Sequence, residues 1–255
     1  AFDDVRRSGF LQHEFAAIDS VPSNEDRAPM AGFRLFGKYN YLVLAGPDRG
    51  AGWEPGDVSI TLGEEHADDF AALKSRTGMT LVESVAGGRS ACSDGIARYC
   101  DGMVRWLEVP HDSSDRTRFR IALYGADRAA ALAETDSLPA SDRRVARLLR
   151  PVFDPDKSLA YISGATLAIP ARDIVAISAA LRRGGVSLVA EGEGAIIDLG
   201  GITLRLIPAW TGPGVKRIDF ALTRDVPANP VYRFGPRSRL RFGPGPVAVW
   251  DFNSP

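Results

Sequence analysis

The stretch SGATLAIPARDIVAISAALRRGGVSLVAEGEGAIIDLGGITLRLIPA, Ser163 to Ala209, limits the possible folds more than any other part of the chain. Within it Ile174, Ile177, Ala180 and Leu181 fall on one stripe of a helix, and Gly184-Gly185 supplies its stop. Strand-forming segments stand on both sides, so the unit reads strand, helix, strand, strand, strand. A helix with one apolar stripe covers one face of such a sheet and leaves the other face open.

The order recurs. Over 57–125, DVSITLG is followed by a helix EEHADDFAALKSRTG (64–78), with Phe70, Ala71 and Leu73 directed inward and Gly78 as its stop. MTLVESV, GMVRWLEVP and RFRIALYG complete that unit. Residues 1–46 have the order without a first strand: a broken helix over 2–18, a loop SVPSNEDRAPMAG, and a hairpin of 33–36 and 39–45 that turns at Gly37-Lys38. Residues 215–252 have it with the helix replaced by a short loop, as VKRIDFALT, PVYRF, SRLRFG and PVAVWDF. Repeats of one unit that cannot bury its own apolar face are expected to pair. The expected fold class is α+β, with repeated βαβββ modules paired into two halves of mostly antiparallel, curved sheet. The halves span 1–125 and 159–255, and 126–158 is a connector with helices ADRAAALAE and SDRRVARLLR and a loop VFDPDKS.

A formal net charge of −1 gives no global field toward nucleic acid or a membrane surface, and neither partner is expected. No apolar run reaches the roughly 18 residues of a membrane helix. The opening AFDDVRRSGF lacks the apolar core of a signal peptide, which favours a soluble cytoplasmic protein over an exported one. Cys92 and Cys100 fit neither a CxxC redox pair nor a zinc knuckle. Two free thiols in a loop satisfy the spacing, and so does a disulfide closing a short loop in an oxidising compartment.

Four stretches carry a resemblance: SGFLQHEFA (8–16), FRLFGKYNYLVL (33–44), VRWLEVP (104–110) and YRFGPRSRLRFGPGPVAVWDF (232–252). The chain resembles the vicinal oxygen chelate, or glyoxalase-like, superfamily, and more closely a bacterial glyoxalase-like family of unknown function. The last stretch is the most specific, with Phe234-Gly235, Ser238, Leu240-Arg241-Phe242-Gly243 and Ala248-Val249-Trp250 in place. The resemblance runs nearly end to end. It implies paired βαβββ modules and no particular activity. Many proteins with this module hold a metal through a His on its first strand and a Glu on its last. Here the strand that opens the family pattern is missing ahead of the first helix, and Val43 stands where the family often has Glu.

A catalytic metal needs about three converging His or carboxylate ligands. His13 falls in the first helix, His66 at a helix start and His111 in a loop, and none is placed in mid-strand. The expectation is no bound metal and no cofactor. There is no GxSxG elbow and no GxGxxG before a helix, and GGRSACSDG lacks the Lys-Ser/Thr ending of a phosphate loop.

The open sheet face remains. In SRLRF, alternation sets Arg237, Arg239 and Arg241 on one side and Leu240 and Phe242 on the other. Arg205 and Arg217 alternate with apolar neighbours too, and Arg217, Asp219 and Ala221 point away from Ile218, Phe220 and Leu222. Guanidinium forks on one face clamp carboxylates or phosphates. An edge strand kept soluble by charge has the same pattern. Tyr39, Tyr41 and Trp106 are candidate ligand walls, with Trp250 in the last strand. Glu108 and Asp219 are candidate general bases.

The functional expectation is a metal-free protein that binds a small organic anion, as a binding protein or a cofactorless lyase or isomerase. Two alternatives stand beside it. One is a structural or interaction module with clefts filled by side chains. The other is a metal enzyme completed by residues upstream of Ala1.

Overall fold

The structure, a computed structural model, describes residues 4–5, 7–21, 32–38, 40–45, 58–64, 67–85, 103–109, 117–123, 153–210, 212–226 and 230–252. The chain is α+β, with mostly antiparallel strands in open sheets. Among the described residues no helix is long and apolar enough to cross a membrane. The connector helices expected over 126–150, both cysteines, His66 and His111 lie outside the described residues.

The first sheet joins β1 (Ala17–Val21), β2 (Gly32–Phe36) and β3 (Tyr41–Ala45) in that order, all antiparallel. A π-type helical turn, Leu11–Phe15, precedes it. Here the sequence reading needs correction, because Ala17–Val21 is a strand and not the end of a helix running into a loop. Its residues pair one for one with β2, from Ala17 opposite Phe36 to Val21 opposite Gly32.

The second sheet contains β4 (Val58–Glu64), β5 (Thr80–Val85), β6 (Met103–Glu108) and β7 (Thr117–Leu123), in the order β4-β7-β6-β5. Only β4 and β7 are parallel. Helix α1, Ala67–Thr77, connects β4 to β5. It starts later than the sequence suggests, since Glu64 still belongs to β4. Ala71 is exposed while Leu73 packs against the core. Positions two apart on a helix point in nearly opposite directions, so the two residues do not share a stripe.

The third sheet has eight strands, ordered β13-β14-β15-β12-β8-β11-β10-β9. Its first half is the stretch that opened the analysis: β8 (Leu159–Ile169), helix α2 (Ala171–Arg183), β9 (Leu188–Glu191), β10 (Gly194–Asp198) and β11 (Thr203–Pro208). Again the first and last strands, β8 and β11, form the only parallel pair. Ile174, Ile177, Ala180 and Leu181 are buried, as the helical stripe requires. The left-handed stop is Gly185, at φ 87°, and not Gly184, which stays right-handed.

Its second half is β12 (Gly214–Leu222), β13 (Val231–Arg233), β14 (Ser238–Phe242) and β15 (Val247–Phe252). Here the first strand, β12, is antiparallel to the last, β15. The reason is the missing helix. A helix carries the chain back to the end where the first strand began, whereas a loop leaves it at the far end. Every later strand is therefore reversed. β12 also pairs antiparallel with β8 and fuses the two halves into one sheet.

Two apolar cores result, and each joins segments far apart in sequence. One joins Ile60, Leu107 and Phe119 of the second sheet to Ile174, Ile177, Leu181 and Leu206 of the third. The other joins Leu11, Phe15 and Leu35 to Phe220, Leu240, Phe242 and Trp250. The N-terminal turn thus occupies the sheet face that has no helix of its own. Phe15 meets Phe220 edge-on at 5.3 Å, and Phe10 stacks on Tyr232 at 3.8 Å. The turn from β2 to β3 docks on β8: Asn40 donates to the Ile162 carbonyl and accepts from its N–H, both at 2.8 Å.

Candidate functional site

The face of the eight-stranded sheet opposite these cores carries the candidate site. Strand alternation buries Ile218, Phe220 and Leu222 of β12 and turns Arg217, Asp219 and Ala221 the other way. On β14, Ser238, Leu240 and Phe242 are buried and Arg239 and Arg241 face outward. On β15, Ala248 and Trp250 are buried and Val249 and Asp251 alternate with them.

Register lines these positions into rows. One row runs Arg205, Thr166, Arg217, Asp251, Arg239, Arg233 across β11, β8, β12, β15, β14 and β13. The next runs Thr203, Gly164, Asp219, Val249, Arg241, Val231 across the same strands. Neighbouring strands are about 4.8 Å apart, so long side chains in one row reach those beside them.

The carboxylates organise the arginines. Arg217 donates from Nε to Asp219 Oδ1 at 2.7 Å, and its Nη2 is 2.6 Å from the same oxygen. Asp219 Oδ2 lies beside Gly164, where a Cβ would sit 3.3 Å from it and 3.0 Å from the Thr203 carbonyl oxygen. Glycine here keeps the floor between β11 and β12 low. Arg241 donates to Asp251 Oδ2 from Nε at 3.0 Å and from Nη2 at 2.6 Å. Arg239 Nη2 is 4.0 Å from the same oxygen, and Arg239 Nε is buried without a hydrogen-bond partner. Arg205 pairs with Glu191 at 3.3 Å. The hydrogen bond to Asp219 raises Arg217 above its ordinary value; the charges of Asp219 and Asp251 add to this, and desolvation opposes it.

Of the residues singled out from sequence, Arg205, Arg217, Asp219, Arg239 and Arg241 come together on this face. Arg237 lies in the turn before β14, outside the rows. Trp106 and Glu108 sit on β6, at register positions between Val82 and Ala122 and between Thr80 and Arg120. Tyr41 is on β3, its ring 6.0 Å from that of Phe36. These three residues belong to other sheets than the arginines. Tyr39 lies outside the described residues. Trp250 is fully buried and donates to Ser238 Oγ at 2.7 Å.

Asp251, Thr166, Thr203 and Gly164 join the site through register alone. The one local signal was the alternation of Asp251 with Trp250. His13 is exposed on the N-terminal turn and Val43 is half-buried in β3. Among the described residues no three His, Cys, Asp or Glu side chains gather as metal ligands do.

The architecture and this face define an α+β protein whose chemistry-bearing surface is a row of guanidiniums with interleaved carboxylates on an open antiparallel sheet. The chain belongs to a protein family described as a family of unknown function (DUF5829), which matches residues 1–252. No curated protein and no solved structure matches it.

Proposed function

We propose that this is a glyoxalase-like protein that binds a small organic anion on the open face of its eight-stranded sheet, without a metal of its own. In this reading the segments 4–45, 58–123, 159–208 and 214–252 are four βαβββ modules. The first lacks its opening strand and the last lacks its helix. The shared strand order β4-β7-β6-β5 and β8-β11-β10-β9, each with one parallel pair, supports it. The division into halves at 1–125 and 159–255 follows chain order, while the two cores pack across it.

The observation that carries the functional part is the cross-strand row holding Arg205, Arg217 and Arg239 with Arg241 beside it. Arginine forks and threonine hydroxyls donate hydrogen bonds that match a carboxylate or phosphate, and they repel a cation. As a cofactorless lyase or isomerase the protein would use Asp219, whose Oδ2 lies over the Gly164 floor, to take a proton from the bound anion.

A structural reading has its own support. Arg205, Arg217 and Arg241 already have acidic partners, and such a ladder keeps an exposed face soluble. Thermal-shift measurements with small carboxylates and phosphates against their neutral amides and alcohols separate the two. The binding reading requires larger shifts for the anions and their loss in Arg239→Gln. Equal shifts for charged and neutral members favour the structural reading.

A further inference from the structure

The same face has an apolar flank, and its charge balance is specific. Arg217, Arg239 and Arg241 surround two carboxylates, Asp219 and Asp251. Asp219 is taken by Arg217, and Asp251 bonds Arg241 at 2.6 Å while Arg239 stands 4.0 Å away. Among the described residues this contact cluster keeps one positive charge over, and Arg239, with its unpartnered Nε, is where pairing is incomplete. Arg233 is exposed on the edge strand, opposite Arg239 in register.

Beside the cluster stand valines. Val231 and Val249 flank Arg241 in register, and Val247 is the next outward position on β15. Val231 is 52% and Val247 44% exposed, and with half-buried Val249 they form an apolar patch beside the charges.

We infer that the ligand class is a monocarboxylate with an apolar body: its carboxylate docks on Arg239 and Arg241, and its hydrocarbon part lies over Val231, Val247 and Val249. This deepens the anion-binding reading and rests on it. A monoanion closes the charge balance of these five side chains, whereas a dianion such as a phosphate monoester needs Arg233 of the edge strand as well. The carboxylate takes up the Nη donors of Arg239, which the 4.0 Å approach to Asp251 leaves incompletely paired. The valines reward each methylene removed from water.

Titration calorimetry of the full chain tests this with butyrate, hexanoate, octanoate, octyl phosphate and octanamide, above the second phosphate ionisation. Affinity is expected to rise about two- to fourfold per methylene from butyrate to octanoate. Octanamide is expected to bind at least about tenfold more weakly than octanoate, and octyl phosphate no more tightly. Arg239→Gln lowers affinity for every carboxylate about tenfold or more, and Arg239→Lys, which keeps the charge but loses the planar fork, by less. Val231→Ser with Val247→Ser weakens octanoate more than butyrate and so flattens the rise with chain length. Anion binding that ignores chain length, or that favours the dianion, overturns this inference and leaves the broader reading standing. Failure of every anion to bind overturns both.

Discussion

Gly37 and Asn40 tie the N-terminal hairpin to the central strand of the large sheet. A Cβ on Gly37 would lie 2.8 Å from Tyr161 Cα and 3.0 Å from the Ala160 carbonyl oxygen. Both are backbone atoms and cannot swing aside. Gly37→Ala is therefore expected to cost about 1–3 kcal/mol, read as a lower urea midpoint. Asn40→Ala removes the donor and acceptor that Ile162 uses and should cost a similar amount. Tyr232 sets a pH limit. Burial, with the charge of Glu14 second, raises its phenol above the ordinary 10.0, so the fold favours the neutral ring. That contribution is complete below the ordinary value and is lost as pH rises through the raised one. Tyr232→Phe should remove this loss: its urea midpoint relative to wild type is constant near neutrality and moves in its favour above about pH 10.

At the scale of elements, the N-terminal turn does the work of a missing helix. Leu11, Phe15 and Ala16 are all fully buried. Residues four and five positions apart cannot both stay on one narrow stripe of an α-helix. The wider turn, closed by Ala16 N–H to the Leu11 carbonyl, brings them together. Lys157 Nζ donates to the His13 carbonyl and Ser158 N–H to that of Glu14, which satisfies the end of the turn. Phe15 fills the space over Phe220 and Phe242. Phe15→Ala is expected to cost about 3–5 kcal/mol in urea unfolding, far more than an exposed neighbour such as Gln12→Ala. The helices and most strands were legible because each has a local period. Strand β1 was not, because AIDSV is short and follows the turn without a break residue. Val231, Tyr232 and Arg233 were legible as a strand, but their partners were not.

At the scale of the molecule, both cores are built from sequence-distant segments. Phe220, Phe242 and Trp250 share a core with residues near the N-terminus, and Ile174 and Leu181 share one with Ile60, Leu107 and Phe119 of the second sheet. A fragment of 153–255 loses the partners that complete both cores. It is expected to unfold without a cooperative transition or to aggregate, and co-expression with 1–125 should restore a soluble complex, as judged by gel filtration and thermal unfolding. An intact cooperative transition in the fragment alone would show that the packing between the ends is dispensable.

The sequence by itself determined what depends on near neighbours along the chain: the helix 171–183 with its apolar stripe and the alternation that sets Arg217 and Asp219 opposite Ile218 and Phe220. Those are consequences of helical and strand periods acting within a dozen residues. The tertiary structure alone decided which strands pair. Register put Asp251 between Arg217 and Arg239, set Trp106 and Glu108 on another sheet, and left Arg237 in a turn. A one-residue slip of any strand would send its charges to the core side, and only burial of the opposite face forbids it. That burial is contributed by segments far apart in sequence, which no local pattern encodes.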